Sequence, residues 1–448
     1  MSGSRKSRIY FLRKFFDYPI SLSAQTIRNL GLLRTFQVGI SYLLARLFPI
    51  RNEQNLEQFF INRFGKALYL TFFKSYTEKV WGLPCDQISA AWGAQRIKGL
   101  SITKAIRHAL GRLWKKTTDI RQKNVETSLV EQFLYPKLGP GQMWEKCGRE
   151  IESQGGEIRY HSRVDHIFLS PDGKQVTSIL VTNTQTGQTE ELTADYFFST
   201  MPIRDLVAGV QGTSVPSPVQ EVATGLVYRD FITVGLLLKK LVIQDPGKAR
   251  ITDNWIYVQE PDVRLGRIQI FNNWSEHLVA NAENVWLGLE YFCQEGDHLW
   301  NLSDDAMKQL AVKELSQIGI ANSEDILDGT VLRVPKTYPA YFGTYDRFGE
   351  VRQWIDGIEN LFLIGRNGMH RYNNQDHSML TAMVAVDNIL AGRTDKANLW
   401  DVNTEQEYHE EQKPAASTAP SSHSPAIVAS TKTFHSVEPA SREASLSS

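Results

Sequence analysis

Between residues 19 and 116, aliphatic and aromatic positions alternate with polar ones at helical spacing and strand-like runs are few, which predicts a mainly helical region. The texture changes near residue 131. Gly139 and Gly141 lead into a stretch that sets Met143, Trp144, Cys147 and Ile151 on one helical face, and Gly155 and Gly156 supply a C-terminal stop. Residues 157–169, 176–183 and 194–200 are rich in β-branched and aromatic side chains and are separated by the turn sequences SPDG and QTGQ, so they read as strands with a hairpin attached. Residues 221–345 hold further strand candidates and one helical stretch near 304–318, the pattern of an antiparallel sheet domain. A buried strand at 361–364 then runs into GRNG and a helix whose apolar residues Met379, Ala382, Met383, Val386, Ile389 and Leu390 keep i, i+3, i+4, i+7 spacing. Past Asp401, Ser, Ala, Pro, Glu and Thr dominate with almost no large aliphatics, and a disordered tail is expected.

These elements predict an α/β protein divided into a mainly helical region (1–130), a strand–helix portion (131–205), an antiparallel-sheet domain (206–345), a returning strand–helix segment (346–395) and a tail (396–448). With 448 residues, 42% hydrophobic and 22% charged, the chain has enough apolar content for large cores. Lys+Arg and Asp+Glu are both 49, so no global field recruits nucleic acid, and an anionic ligand has to be held locally. Cys85, Cys147 and Cys293 are far apart and have no metal-ligand spacing, which suggests a reducing, cytoplasmic setting. The basic opening lacks the apolar run and cleavage site of a signal peptide. The longest apolar stretches, 32–48 and 227–243, are interrupted by charges such as Arg34 and Arg46 and fall short of a membrane span, so a soluble protein is expected. The run Lys104, Arg107, Arg112, Lys115 and Lys116 has no acidic residue from 101 to 116 and reads as a solvated helix face.

The segment NLFLIGRNGMHRYNNQDHSMLTAM, residues 360–383, concentrates the chemistry: a strand ends in a glycine turn and a helix starts behind Asp376 and Ser378. Unpaired N–H groups at a helix start complement an anion or the electron-rich N1/C2=O edge of a flavin, and Gly365 and Gly368 allow close backbone approach. A plain strand–turn–helix connection would look the same. Just upstream, VPKTYPAY brings Lys336, Tyr338 and Tyr341 close in sequence to this turn. Tyrosine hydroxyls and cations can hold a diphosphate or carboxylate, and an aromatic face can cover a planar ring.

The turn with its aromatic, polar and acidic sequel resembles that of the UDP-galactopyranose mutases and their amine-oxidase-like relatives, a group that includes protoporphyrinogen-oxidase-like proteins. The run FFKSYTEKVWGLPCDQISAAWGAQRI, residues 72–97, is similar to the mutase block Phe-Lys-x-Tyr-Thr-x-Lys-x-Trp-Gly and ends in Arg96. Further similarities lie at 135–145, 155–167, 194–202 and 264–275. The resemblance spans residues 7 to about 395. It implies an FAD-linked oxidoreductase fold with FAD as cofactor. Val164 would meet the adenine, while Gly365, Arg366, Asn367, Gly368, Met369, Asp376, Ser378 and Met379 would hold the flavin. Lys79, Trp81, Arg267, Trp274, Tyr338 and Arg371 would contact a small-molecule substrate, and Arg96, Tyr341 and Tyr372 are the candidates for catalytic contacts.

Such proteins open with a strand, a GxGxxG turn and a helix that hold the pyrophosphate, and no GxGxxG occurs in this sequence. The resemblance therefore implies an incomplete Rossmann-like FAD domain, with the missing unit supplied by a separately encoded N-terminal segment or lost by truncation. Three functions stay open: an FAD-dependent oxidoreductase, a flavin-dependent sugar-nucleotide isomerase, and a non-catalytic remnant that binds no flavin.

Overall fold

A computed structural model describes residues 2–18, 20, 23–90 and 132–402. Arg96, the basic run at 101–116 and nearly all of the tail lie outside the described residues, which all belong to one unit ending at His409.

The chain opens with strands. β1 (Ser2–Ser4) pairs with β4 (Gln132–Leu134), and β2 (Ser7–Phe11) forms a hairpin with β3 (Lys14–Asp17). Both hairpin turn residues, Leu12 and Arg13, have positive φ (54° and 57°), a conformation that favours Gly or Asn. Arg13 is held there by Glu260, which accepts its backbone N–H at 2.6 Å, and by ion pairs to Glu260 and Asp262. Helices α1 (Ala24–Leu30), α2 (Leu32–Leu47) and α3 (Leu56–Phe64) follow, and then a π-helical turn, Tyr69–Phe73, runs into the helix Lys74–Trp81. Their inner faces form a core rich in rings: Phe16, Phe59, Phe60, Tyr69, Phe72 and Trp81 are all buried in it.

β5 (Ser162–Leu169), β6 (Val176–Asn183) and β7 (Thr189–Leu192) make an antiparallel meander, as the SPDG and QTGQ turns require. β8 (Phe197–Ser199) leads out of this region, and β9 (Val210–Gln211) returns to run parallel to β5. The large sheet then forms from β10 (Leu226–Leu238), β11 (Trp255–Val258), β12 (Arg267–Ile270), β13 (Val285–Cys293) and β14 (Ile326–Gly343). Its order is β14-β10-β13-β12-β11-β2-β3, so the N-terminal hairpin completes it, with β2 parallel to β11. One face packs on the helix Asp304–Gln317, capped by Ser303, through Met307, Ala311 and Leu315. The first residues thus belong to this sheet and not to a helical region.

β15 (Leu361–Leu363), fully buried, runs parallel to β8 and pairs with no other strand among the described residues. Parallel strands are normally covered on both faces. The helix Gln375–Leu390 behind it corrects one expectation: Thr381, Ala385 and Asn388 are buried, whereas Met379, Met383, Val386 and Leu390 are exposed. The two polar positions face inward because each finds a partner there. Thr381 Oγ1 accepts the Gly365 N–H at 3.0 Å and donates to Ser378 O, and Asn388 pairs with Asn398. Helix Gly141–Ser153 likewise leaves Trp144, Cys147 and Ile151 exposed. These two helices therefore turn apolar side chains outward.

Candidate functional site

The site grows from the end of β15. Ile364 donates to Ser199 O of β8 at 3.0 Å, and the chain then turns through Gly365–Gly368. Gly365 has φ +77°, and a Cβ on Gly368 would lie 2.3 Å from Ser199 O, so the turn is pressed against β8 where no side chain fits. Met369, His370 and Asn373 are buried beneath it, and Asn373 Nδ2 donates to Gly365 O at 3.1 Å. Asn374 then caps the helix Gln375–Leu390 in a box with His377. Ser378 Oγ donates to Asn374 O, and Asp376 sits in the first helical turn, 3.5 Å from His377.

Arg366 clips this turn to β14. Its Nε donates to Asn373 O (2.8 Å) and its Nη1 to Thr337 O (3.0 Å), while the guanidinium lies over Tyr372 at 4.6 Å. Tyr372 stacks on Tyr338 at 5.4 Å with planes 8° apart, and Tyr341 Oη accepts the Tyr372 N–H at 2.6 Å. Arg267 Nη2 donates to Tyr338 Oη at 2.7 Å and pairs with Glu290, whose other oxygen accepts from Gln269 Nε2 at 2.7 Å. Burial works against the charge on Arg267, but the Glu290 carboxylate together with the Tyr338 and Tyr76 hydroxyls more than offsets it and raises its pKa. Burial likewise raises the Tyr338 hydroxyl, with Arg267 opposing. The result is a continuous layer of arginines and flat rings from the turn into the sheet.

Arg366, Tyr338, Tyr372, Tyr341 and Arg267 are therefore brought together. Other candidates are not. Lys79 Nζ donates to the carbonyls of Val258, Glu260 and Leu265 at 3.0–3.2 Å, and burial lowers its pKa to about 8. It ties its helix to the β11 end and has spent its donors there. Trp81 is buried in the aromatic core against Phe342. Trp274 donates to Asn254 O and packs on Phe133, Tyr135 and Trp255. Arg371 donates to the carbonyls of Trp400 and Val402, on the side of the C-terminal helix Ala397–Asp401. Val164 pairs with Val181 in β5, next to a register shift. Met369 is buried, Met379 lies on the outward stripe, and Arg96 lies outside the described residues.

Sequence reasoning missed Glu290, Asn373 and His370. A lone carboxylate inside VWLGLEYFC was the available signal for a buried pair. His370 is fully buried with φ +46°, its Nε2 bonded to Ala340 O at 3.0 Å and its Nδ1 without a partner among the described residues, and burial lowers its pKa to about 4. Buried Arg267 Nε, Trp255 Nε1 and Asn367 Oδ1 also lack protein partners among the described residues, leaving two donors and an acceptor around the layer. A cavity of about 500 Å³ opens beside Tyr341 and Tyr345, with Gln54, Asn55, Asp86 and Asp346 on its wall.

No protein-family model matches the chain. Solved structures do. Reduced UDP-galactopyranose mutase aligns at a TM-score of 0.69 and 20% identity, over 91% of this chain and 83% of that one. A protein assigned as a protoporphyrinogen oxidase, from Exiguobacterium sp. 255-15, aligns at 0.58 and 16%, over 88% and 81%. Putrescine oxidase bound to putrescine aligns at 0.53 and 11%, over 87% and 82%. At these identities the likeness is one of fold.

Proposed function

We propose, from the fold shared with these enzymes and the layer at its centre, that the chain is the flavin-ring and substrate portion of an FAD-dependent, amine-oxidase-like oxidoreductase acting on a small molecule. The observation that carries the reading is the Gly365–Gly368 turn, fixed at the end of a buried parallel strand and backed by the Arg366–Tyr372–Tyr338 stack. FAD, when bound, supplies hydride transfer at its isoalloxazine ring.

The residues present fit that ring. Gly365 leaves room, with no side-chain or backbone atom closer than 3.8 Å to an added Cβ. The first amides of the helix Gln375–Leu390 offer partial positive charge to the ring edge, and the buried Asn367 carbonyl oxygen and Arg267 Nε are polar groups in want of partners. Tyr341 and Tyr372 would face the substrate. The adenosine-diphosphate end is different, since no GxGxxG turn occurs in the sequence. We assign that end to a separate strand–glycine turn–helix segment. The outward Met383, Val386 and Leu390 support a seat for it.

A sugar-nucleotide isomerase is the second reading, favoured by the 0.69 TM-score to the mutase. It needs cations for a diphosphate; Lys79 and Arg371 are engaged by backbone carbonyls, which leaves Arg96 as the candidate from the mutase-like block. Titration of FAD into the chain, alone and together with a strand–GxGxxG–helix segment, tests the first premise of both. Binding in the combined form supports a flavoenzyme; failure in both forms leaves the non-binding remnant. Turnover of an amine then favours the oxidoreductase, and turnover of a sugar nucleotide by reduced enzyme favours the isomerase.

A further inference from the structure

α2 carries its apolar residues on the wrong side for a core helix. The face against the body is made of small or part-polar residues: Ala45 is buried, Val38 packs on the aromatic core, and Ser41 Oγ accepts the Ala67 N–H at 2.9 Å. Gly65 lets the backbones meet, since a Cβ there would lie 2.7 Å from Tyr42 N. The outer face holds Leu33, Phe36, Ile40, Leu43, Leu44 and Leu47, a stripe at i, i+3, i+7 spacing; Leu33, Phe36 and Leu47 are 73%, 68% and 70% exposed. Phe48 extends the stripe at the C-terminal end.

Charge identifies what covers it. Residues 18–52 contain no Asp or Glu, while Arg28, Arg34, Arg46 and Arg51 are exposed and none pairs with a carboxylate among the described residues. Arg34 and Arg46 sit about 120° to either side of Ile40 around the helix, on its polar side beyond either edge of the stripe. At 16 residues the helix is about 24 Å long, and no described helix is long and apolar enough to cross a membrane. A second copy fits poorly. Self-packing through this stripe would set two arginines along each rim, with no carboxylate from residues 18–52 of either copy to balance them.

We propose that α2 is an interfacial helix that seats the protein on an anionic lipid surface, with Leu33, Phe36, Ile40, Leu43 and Leu47 entering the acyl boundary and the flanking arginines meeting phosphates. The test is flotation of the full chain with vesicles of phosphatidylcholine alone or mixed with phosphatidylglycerol. The wild type floats with the mixed vesicles and less with phosphatidylcholine, and added salt narrows the difference. Phe36→Ser/Leu43→Ser/Leu47→Ser abolishes flotation with an unchanged unfolding midpoint, as expected of exposed positions. Arg34→Gln/Arg46→Gln weakens binding to the mixed vesicles roughly thirtyfold and leaves phosphatidylcholine binding as it was. Absence of wild-type flotation, or flotation that survives the serine variant, overturns the proposal. So does a dimer in sedimentation velocity that the serine variant makes monomeric while no lipid is bound.

Discussion

Acid should loosen the protein at His370 before it reaches the carboxylates. The imidazole is fully buried beneath the Gly365–Gly368 turn, edge-on to Tyr228 at 4.8 Å and near Tyr345 and Phe348. Its Nε2–H donates to Ala340 O, so Nδ1 is the bare nitrogen, and a second proton there would meet no acceptor among the described residues and the opposing charge of Arg204. Burial accordingly lowers the pKa from 6.5 to about 4. Between those values the unfolded chain holds a proton that the folded chain refuses, so stability is full above pH 6.5 and falls as the pH drops toward 4. The whole interval is worth about 3 kcal/mol, and between about pH 7.5 and pH 5 the loss is about 2 kcal/mol. Asp245 and Asp262 are ion-paired and held well below the usual carboxylate range, so their losses come in stronger acid. Denaturant unfolding followed by tryptophan fluorescence at the two pH values measures the difference. His370→Asn keeps a residue tolerant of positive φ and removes the titration, so its stability should change little over that range. A wild type equally stable at both values, or a variant that keeps the full loss, would refute the reasoning.

Gly368→Ala forces a Cβ against Ser199 O and should cost about 3 kcal/mol in denaturant unfolding, whereas Gly365→Ala, strained in φ but with open space, should cost only about 1 kcal/mol. Arg267→Met or Glu290→Gln alone should destabilise by about 3–5 kcal/mol by leaving one buried partner unpaired, while Arg267→Met with Glu290→Leu should recover most of it in a double-mutant cycle. Because Lys79 and Lys396 are both held near pKa 8 by burial, below their ordinary 10.5, stability should rise as the pH goes from about 8 to 10.5. Lys79→Met should flatten part of that rise in thermal unfolding, which a solvated, substrate-side lysine would not do.

What could be read from the sequence was what is locally encoded. The strand into GRNG, the hairpin turns SPDG and QTGQ and the Ser303-capped helix all declare themselves within a few residues, and all are present. The β2–β3 hairpin was hidden because Leu12 and Arg13 are not turn formers, and their conformation is held by Glu260 and Asp262, some 250 positions away. Lys79 was misjudged for the same reason: a lone cation near a candidate site gives no hint that three carbonyls from 258–265 are waiting for it. The helix Gln375–Leu390 shows the limit of periodicity. Its apolar stripe is real, but Thr381 and Asn388 found specific partners inside, so they went in while Met379, Met383, Val386 and Leu390 stayed out. Tyr338, Tyr341, Tyr372, Arg366 and Arg267 were legible as chemistry, whereas their joining into one stacked layer depended on β12, β14 and the turn meeting in space.

The central claim is that the Gly365–Gly368 turn and its tyrosine–arginine layer form the ring end of a flavin site. It is tested most directly by titrating FAD into the chain combined with a strand–GxGxxG–helix segment, beside the same preparation carrying Tyr372→Ala. The account predicts a complex with flavin absorbance in the first case and clearly weaker binding in the second. No binding in the combined form, or binding that Tyr372→Ala leaves unchanged, would contradict it.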